Sequence, residues 1–226
     1  MNSEKPHLFL QACGKFFSGL LLAGLLLFLP AGSLRYWNAW LLIGILFVPM
    51  FIAGIVMLFR CPELLRKRLN VTENEKEQTQ VIAWSGLMFL AAFILAGLNF
   101  RFKWIILPDQ IVWTAAAVFL ISYLLYAEVL RENAYLSRTI EVQEDQKVVD
   151  SGLYGVVRHP MYAATLLLFL SMPLVLGSPI SFLILLLYIP LIVKRIRNEE
   201  KVLEEGLAGY REYERRVRYR LVPGLW

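Results

Sequence analysis

The sequence predicts an all-α protein: a polytopic bundle of about six membrane-spanning helices, with a loop and a C-terminal helix gathered at one end. Three observations predict it. Hydrophobic residues make up 58% of the 226-residue chain and charged residues 18%, against about 45–50% and about 25% in soluble domains. Mean hydropathy is +0.57. A water-soluble globule of this size could not hide so much apolar surface, which excludes a disordered chain, a disulfide scaffold and an ordinary cytosolic enzyme. The apolar residues also fall into charge-free runs, and about 20 such residues suffice to cross a bilayer. Finally, the basic residues are distributed very unevenly between those runs.

The spans follow in order. Lys15 and Arg35 bracket 16–34, Arg35 and Arg60 bracket 36–59, Glu77 and Arg101 bracket 78–100, and Asp109 and Glu128 bracket 110–127. The last apolar stretch, 159–193, is too long for one helix and short for two. Leu176-Gly177-Ser178-Pro179 interrupts it, and Pro179 suits the first turn of a new helix. A helical hairpin is expected, with spans near 160–176 and 179–194. Lys194, Arg195 and Arg197 can snorkel while the second helix continues beyond the membrane.

Alternating these six spans leaves only Arg35, Arg101 and Lys103, of the 23 Lys and Arg, on one side. The rest share a side with the N-terminus, the loops 60–80 and 128–159, and the tail 194–226. The positive-inside rule then puts both termini in the cytosol, of a bacterial inner membrane or the endoplasmic reticulum. The net charge of +5 fits a membrane surface and lipid better than nucleic acid, which is not an expected partner. Lys5, Lys15 and Ala31-Gly32-Ser33 give the first run some look of a signal peptide, but the run is long for one and is expected to stay.

Between the spans, Pro62 can open a helix in which Glu63 and Lys67 pair. Leu64, Leu65 and Leu69 among bases suit either a helix lying in the interface or a solvated connector. Segment 132–158 alternates through Thr139, Ile140, Glu141, Val142 and Gln143 before a turn at Asp150-Ser151-Gly152; loops this long are linkers or functional elements. In the tail, Leu203, Leu207, Tyr210, Tyr213 and Val217 fall near helical spacing, weakened by Gly206 and Gly209. Residues 219–226 are expected to dock on the membrane face, with Trp226 at headgroup depth. The chain thus divides into N-terminal membrane helices, 1–130, and a region that carries the chemistry, 131–226.

Cys13 and Cys61 form no pair motif, and His7 and His159 are the two histidines; no metal site is expected. Two constellations stand out. One is Gly152-Leu153-Tyr154-Gly155-Val156-Val157-Arg158-His159-Pro160-Met161-Tyr162, where the chain enters the membrane. It could be plain construction: Pro160 as first helical residue, His159 a cap, Arg158 a snorkelling anchor, Tyr162 part of an interfacial belt. The other is Lys194-Arg195-Ile196-Arg197-Asn198-Glu199-Glu200, with Arg195 and Glu199 on one helical face; alone it reads as a solvated charge run. The hairpin brings the two together, so His159 and Tyr162 should lie near Arg195 and Glu199. Cations, anions and hydroxyls then converge at a membrane–water boundary, a place to bind a polar cofactor beside a lipid-soluble substrate. Glu128, with Arg131 and Asn133 nearby, is expected to support the loop. No GxGxxG, Walker A, HExxH or nucleophile-elbow pattern is present.

Gly152-x-Tyr154, then Arg158-His159-Pro160-x-Tyr162, an apolar hairpin, Arg195-x-x-x-Glu199-Glu200 and Tyr210-x-x-Tyr213 resemble the isoprenylcysteine carboxyl methyltransferase family and its phospholipid methyltransferase relatives, over roughly the last 95 residues. The resemblance implies an S-adenosyl-L-methionine-dependent methyltransferase acting on a lipophilic or prenylated acceptor. It implies that Gln143, Gln146, Lys147, Val148 and Val149 border the cofactor's adenine, and that Tyr154, His159, Pro160, Met161 and Tyr162 line its ribose and methionine parts. Glu199, with Glu200 beside it, would meet its ammonium group, and Arg195 would face the acceptor. Leu153 stands where the family usually has proline. A carboxylate acceptor is already ionised at pH 7 and needs a cation such as Arg195 to orient it; an amine or thiol would need a base, for which His159 or a tyrosine would have to serve. Two alternatives stay open. Sterol and steroid reductases end similarly but bind NADPH, whose phosphates would prefer cations at the Glu199-Glu200 position. A transporter or scaffold would place ionisable residues within the spans, and their central thirds contain none.

Overall fold

The structure, a computed structural model, describes residues 4–69, 76–133, 135–136 and 142–226. Regular structure among these residues is helical: α1 (Glu4–Ala31), α2 (Trp37–Arg60), α3 (Pro62–Leu69), α4 (Lys76–Phe102), α5 (Asp109–Glu132), a 3-10 turn (Gly152–Gly155), α6 (Pro160–Val175), α7 (Pro179–Leu186), α8 (Tyr188–Gly206) and α9 (Tyr210–Arg216). Among the described residues, α1, α2, α4, α5 and α7–α8 supply five helices long and apolar enough to cross a membrane, and α6 is a shorter apolar helix. Large apolar side chains such as Leu21, Phe59, Trp84 and Leu124 stand exposed along α1, α2, α4 and α5, as expected where lipid is the solvent. The protein is an integral, multi-pass membrane protein.

The helices outrun the charge-free stretches. α1 begins at Glu4 and α5 continues to Glu132, past Glu128. Charges mark where hydrocarbon ends; they do not interrupt backbone hydrogen bonding. α1 and α4 lie in backbone contact at Gly97, where a Cβ would sit 2.7 Å from the Leu27 carbonyl oxygen, the close approach that small residues allow in membranes. One core cluster joins Leu27, Tyr36, Leu42, Phe119, Leu168 and Met172. A second joins Met88, Tyr162, Leu185, Tyr188, Ile192 and Ile196 beneath the site.

The expected hairpin is present. α6 has 16 residues, about 24 Å at 1.5 Å per residue, so its far end is sunk in the bundle, where its last carbonyls need side-chain donors. Tyr36 Oη donates to Leu176 O at 2.6 Å, Asn38 Nδ2 to Val175 O at 2.9 Å and Asn99 Nδ2 to Gly177 O at 3.2 Å. Ser178 caps α7 by accepting from the Ser181 N–H at 3.3 Å, and Ser181 Oγ donates to Ala92 O at 2.7 Å, tying the hairpin to α4. The returning helix comes in two pieces. Pro190 cannot donate to Leu186 and its ring would clash with that carbonyl, so α7 stops at Leu186 and α8 restarts at Tyr188. α8 then runs to Gly206, well past Lys194.

Segment 60–69 forms a helix. Leu65 is buried against Leu8 and Leu58, and Glu63 meets Arg66 at 3.7 Å. Thr139, Ile140 and Glu141 lie outside the described residues. Beyond them the chain forms turns rather than a strand, ending in the 3-10 turn after Ser151.

Candidate active site

The site is built from two chain reversals at the same end of the bundle. Pro160 opens α6 as its first residue, and His159 occupies the cap position without a capping hydrogen bond. Its ring turns to α8 instead, with Nε2 at 3.2 Å from Glu200 Oε1. A carboxylate only accepts, so this contact places the hydrogen on Nε2. Arg158 does not snorkel. It is 5% exposed, donates from Nε to Glu200 Oε1 at 2.9 Å and meets Glu214 Oε1 at 3.0 Å. Its Nη1 also donates to Val217 O at 3.1 Å.

Glu200, 3% exposed, is therefore the hub of a buried network. Its other oxygen accepts from Arg220 Nε at 2.8 Å. The backbone completes the clasp: Arg158 N–H donates to Tyr219 O and His159 N–H to Arg220 O, both at 2.9 Å. Gly209, at φ 84°, lets the chain turn from α8 into α9. The last residues fold on this end of the bundle, with Trp226 O accepting from the N–H groups of Arg220, Leu221 and Val222 and the Arg220 guanidinium over the Trp226 ring at 5.3 Å.

Above this network lies a cavity that opens to solvent at its mouth. Its polar wall holds His159, Tyr162, Arg195 and Glu199. Its other walls are Gln146, Lys147, Val148 and Val149, then Asn133, Tyr135, Leu136 and Tyr154, with Met161 and Arg158, and Leu203, Leu207, Tyr210 and Tyr213. Arg195 and Glu199 meet through Tyr162: Arg195 Nε donates to Tyr162 Oη at 2.9 Å, and Tyr162 Oη donates to Glu199 Oε2 at 2.5 Å. The expected convergence of His159, Tyr162, Arg195 and Glu199 is thus present.

The tyrosines are held by the loop and the tail. Asn133 Nδ2 donates to Tyr154 Oη at 2.9 Å, and Tyr213 Oη donates to Tyr154 O at 2.8 Å. Burial pushes the Tyr154 phenol up to about 12, although the Asn133 hydrogen bond opposes it. Burial likewise raises Tyr213 and Tyr210, the latter further through the Glu200 and Glu199 charges. Tyr210 is 4% exposed and its hydroxyl, buried in the cavity wall, has no hydrogen-bond partner. Buried polar atoms are almost always satisfied, so this wall is shaped for a ligand with polar groups. An amphipathic cofactor with a flat base and a charged end fits the residues present: aromatic and aliphatic side chains on one side, ionised groups on the other.

Three residues expected around the cofactor do not line the cavity. Gln143 shapes its rim: its N–H donates to Gln146 Oε1 at 2.8 Å and its side chain to Tyr135 O at 2.6 Å. Pro160 is buried at the start of α6, and Glu200 faces the arginines below. Glu128 does not support the loop; exposed, it pairs with Arg131 on its own helix. Glu132 does so instead, accepting the Leu153 N–H at 2.9 Å. The residues not anticipated as lining were Asn133, Tyr135, Leu136, Arg158, Leu203, Leu207, Tyr210 and Tyr213. The helical spacing of the last four is visible in the sequence, but it signals an apolar face without saying what that face covers.

The chain is 33% identical over 88 residues to the Delta(14)-sterol reductase of Mus musculus, a match covering 38% of this chain and 21% of that protein. The chain therefore spans about a fifth of that relative's length. Residues 112–205, about two-fifths of the chain, match the Isoprenylcysteine carboxyl methyltransferase (ICMT) family. The match opens within α5, ahead of Gly152 and Tyr154, and closes at the end of α8, before Tyr210 and Tyr213. The stretch that builds most of the cavity thus carries the signature of this methyltransferase family, which supports a membrane methyltransferase.

Proposed function

We propose that this protein transfers a methyl group from S-adenosylmethionine to the carboxylate of a lipophilic, isoprenylcysteine-like acceptor. The observation that carries this reading is a half-polar, half-aromatic cavity at the end of a membrane bundle, built by the segment that matches the family. When bound, S-adenosylmethionine supplies an electrophilic methyl group, which forms a bond to a carboxylate oxygen as its bond to sulfur breaks and the electron pair stays on sulfur. No proton needs to move, so the protein's contribution is position and electrostatics.

Each wall has a role in this reading. Gln146, Lys147, Val148 and Val149 border the adenine, with Leu207 and Tyr210 opposite. Tyr154, His159, Met161 and Tyr162 line the ribose and methionine parts, and Glu199 meets the ammonium group. Arg195, its plane fixed by Tyr162, is the cation that orients the acceptor carboxylate. Gln143 and Glu200 act from behind, as positioning residues. Residues 1–130 then serve mainly as membrane helices and 131–226 as the catalytic region, with both termini in the cytosol by the distribution of Lys and Arg.

A second reading, an NADPH-dependent reductase, is favoured by the similarity to the sterol reductase. Calorimetric titration of the purified protein with each cofactor separates the two. Micromolar binding of S-adenosylmethionine and none of NADPH is expected; the reverse overturns the methyltransferase reading.

A further inference from the structure

Arg68 belongs to no part of the machinery described above, yet two of its donors are buried without a partner. α3 is pinned to α1 and α2 by Leu65, which leaves Arg68 on the last turn reaching across to α5. There Nη1 donates to Tyr126 Oη at 2.9 Å, and the guanidinium lies over the Tyr126 ring at 5.6 Å. Nε and Nη2 are buried with no hydrogen-bond partner. A guanidinium with two unsatisfied donors out of water is strongly unfavourable. The carboxylates at this end of α5 are engaged elsewhere: Glu128 pairs with Arg131 and Glu132 accepts from the Leu153 N–H. Among the described residues no carboxylate pairs with Arg68.

Its position is informative. Arg68 lies close enough to Tyr154 for its charge to act on that hydroxyl, and Tyr154 lines the cavity. The guanidinium therefore stands between α3 and α5, at the level where the bundle meets the cavity. Nε and one Nη present the parallel pair of N–H donors that matches a carboxylate or phosphate.

We propose that Arg68 is the anchor for the oxyanion of an amphiphile, whose anionic head sits between α3 and α5 beside the Tyr154 wall while its tail remains in lipid. The head is a phosphate ester, that of an anionic phospholipid; in the reading above the acceptor carboxylate lies at Arg195, in a cavity whose lining does not include Arg68. Lysine at this position would keep the charge but lose the two-pronged match.

The test uses the full chain in phosphatidylcholine nanodiscs, with and without phosphatidylglycerol. Wild type should bind phosphatidylglycerol about 10-fold to 100-fold more tightly than phosphatidylcholine, from a charge-assisted bidentate pair. Arg68→Met should abolish that preference and Arg68→Lys should keep part of it, with the binding of S-adenosylmethionine unchanged in both. Because its donors are unsatisfied, Arg68→Met should also leave the thermal midpoint in phosphatidylcholine alone unchanged or raised. No preference for phosphatidylglycerol in wild type, a preference that survives in Arg68→Met, or a midpoint lowered in phosphatidylcholine alone overturns the proposal.

Discussion

Replacing Glu200 with glutamine keeps the shape of the side chain and removes its charge. In the wild type this carboxylate is 3% exposed and accepts from Arg158 and Arg220, with the His159 ring at 3.2 Å. Without it, Arg158 keeps only the more exposed Glu214 and backbone carbonyls. Removing one partner of a buried ion pair costs about 3–5 kcal/mol. For a chain of this length each kcal/mol shifts the thermal midpoint by about 2–4 °C, so Glu200→Gln should lower it by about 6–20 °C. The assay is thermal unfolding of both proteins purified in the same detergent. The tail should also loosen, letting trypsin cut after Arg215, Arg216 and Arg218, whose side chains are exposed but whose backbone is held in the folded tail. Glu199→Gln, one residue away on the cavity side, is the control and should stay within about 1 kcal/mol. A Glu200→Gln midpoint within 2 °C of wild type, with the tail equally resistant to trypsin, would refute the role assigned to this carboxylate.

Other perturbations have equally direct outcomes. Glu199→Ala should weaken S-adenosylmethionine binding at least 10-fold by calorimetry, about the value of a charged hydrogen bond, while the protein stays folded by circular dichroism. Tyr162→Phe removes the hydroxyl that joins Arg195 to Glu199 and should lower methyl transfer by about 10-fold to 100-fold, read in initial rates. Gly152→Ala should destabilise by about 1–2 kcal/mol from the left-handed backbone alone, since the residue sits at φ 53°, and should displace the Glu132 carboxylate, whose Oε1 would lie 1.4 Å from the added Cβ; Glu132→Ala should relieve the collision but not the backbone strain. At high pH, Tyr154 holds its proton up to about 12 in the folded state, whereas an unfolded tyrosine releases it near about 10. Its stabilisation is therefore complete below about pH 10 and is lost as pH rises toward 12. Thermal midpoints should fall across that window, less steeply in Tyr154→Phe, and a flat profile would contradict the burial assigned to it.

The membrane fold was legible because lipid imposes a simple rule: charges bound the runs, and the hairpin break at Gly177-Ser178-Pro179 uses residues whose backbone chemistry is unambiguous. The meeting of Tyr162 with Arg195 and Glu199 followed from that hairpin. Other features depend on tertiary partners that no local pattern encodes. Glu199 and Glu200 are adjacent and chemically identical, yet successive helical positions point about 100° apart, so one faces the cavity and the other Arg158. Arg158 read as a snorkelling anchor because its partners, Glu200 and Glu214, lie 42 and 56 positions away in the chain. Glu132, not Glu128, supports the loop because the helix extends one turn further than the apolar run. Arg68 was one base among several in a cationic stretch; only its approach to Tyr126 sets it apart.

The central claim is tested most directly by incubating the purified protein in detergent with S-adenosylmethionine labelled in its methyl group and N-acetyl-S-farnesylcysteine. The account predicts label in a base-labile methyl ester that partitions into organic solvent, lost in Arg195→Ala. Label that never reaches the acid, from a folded protein that binds the donor, would contradict it.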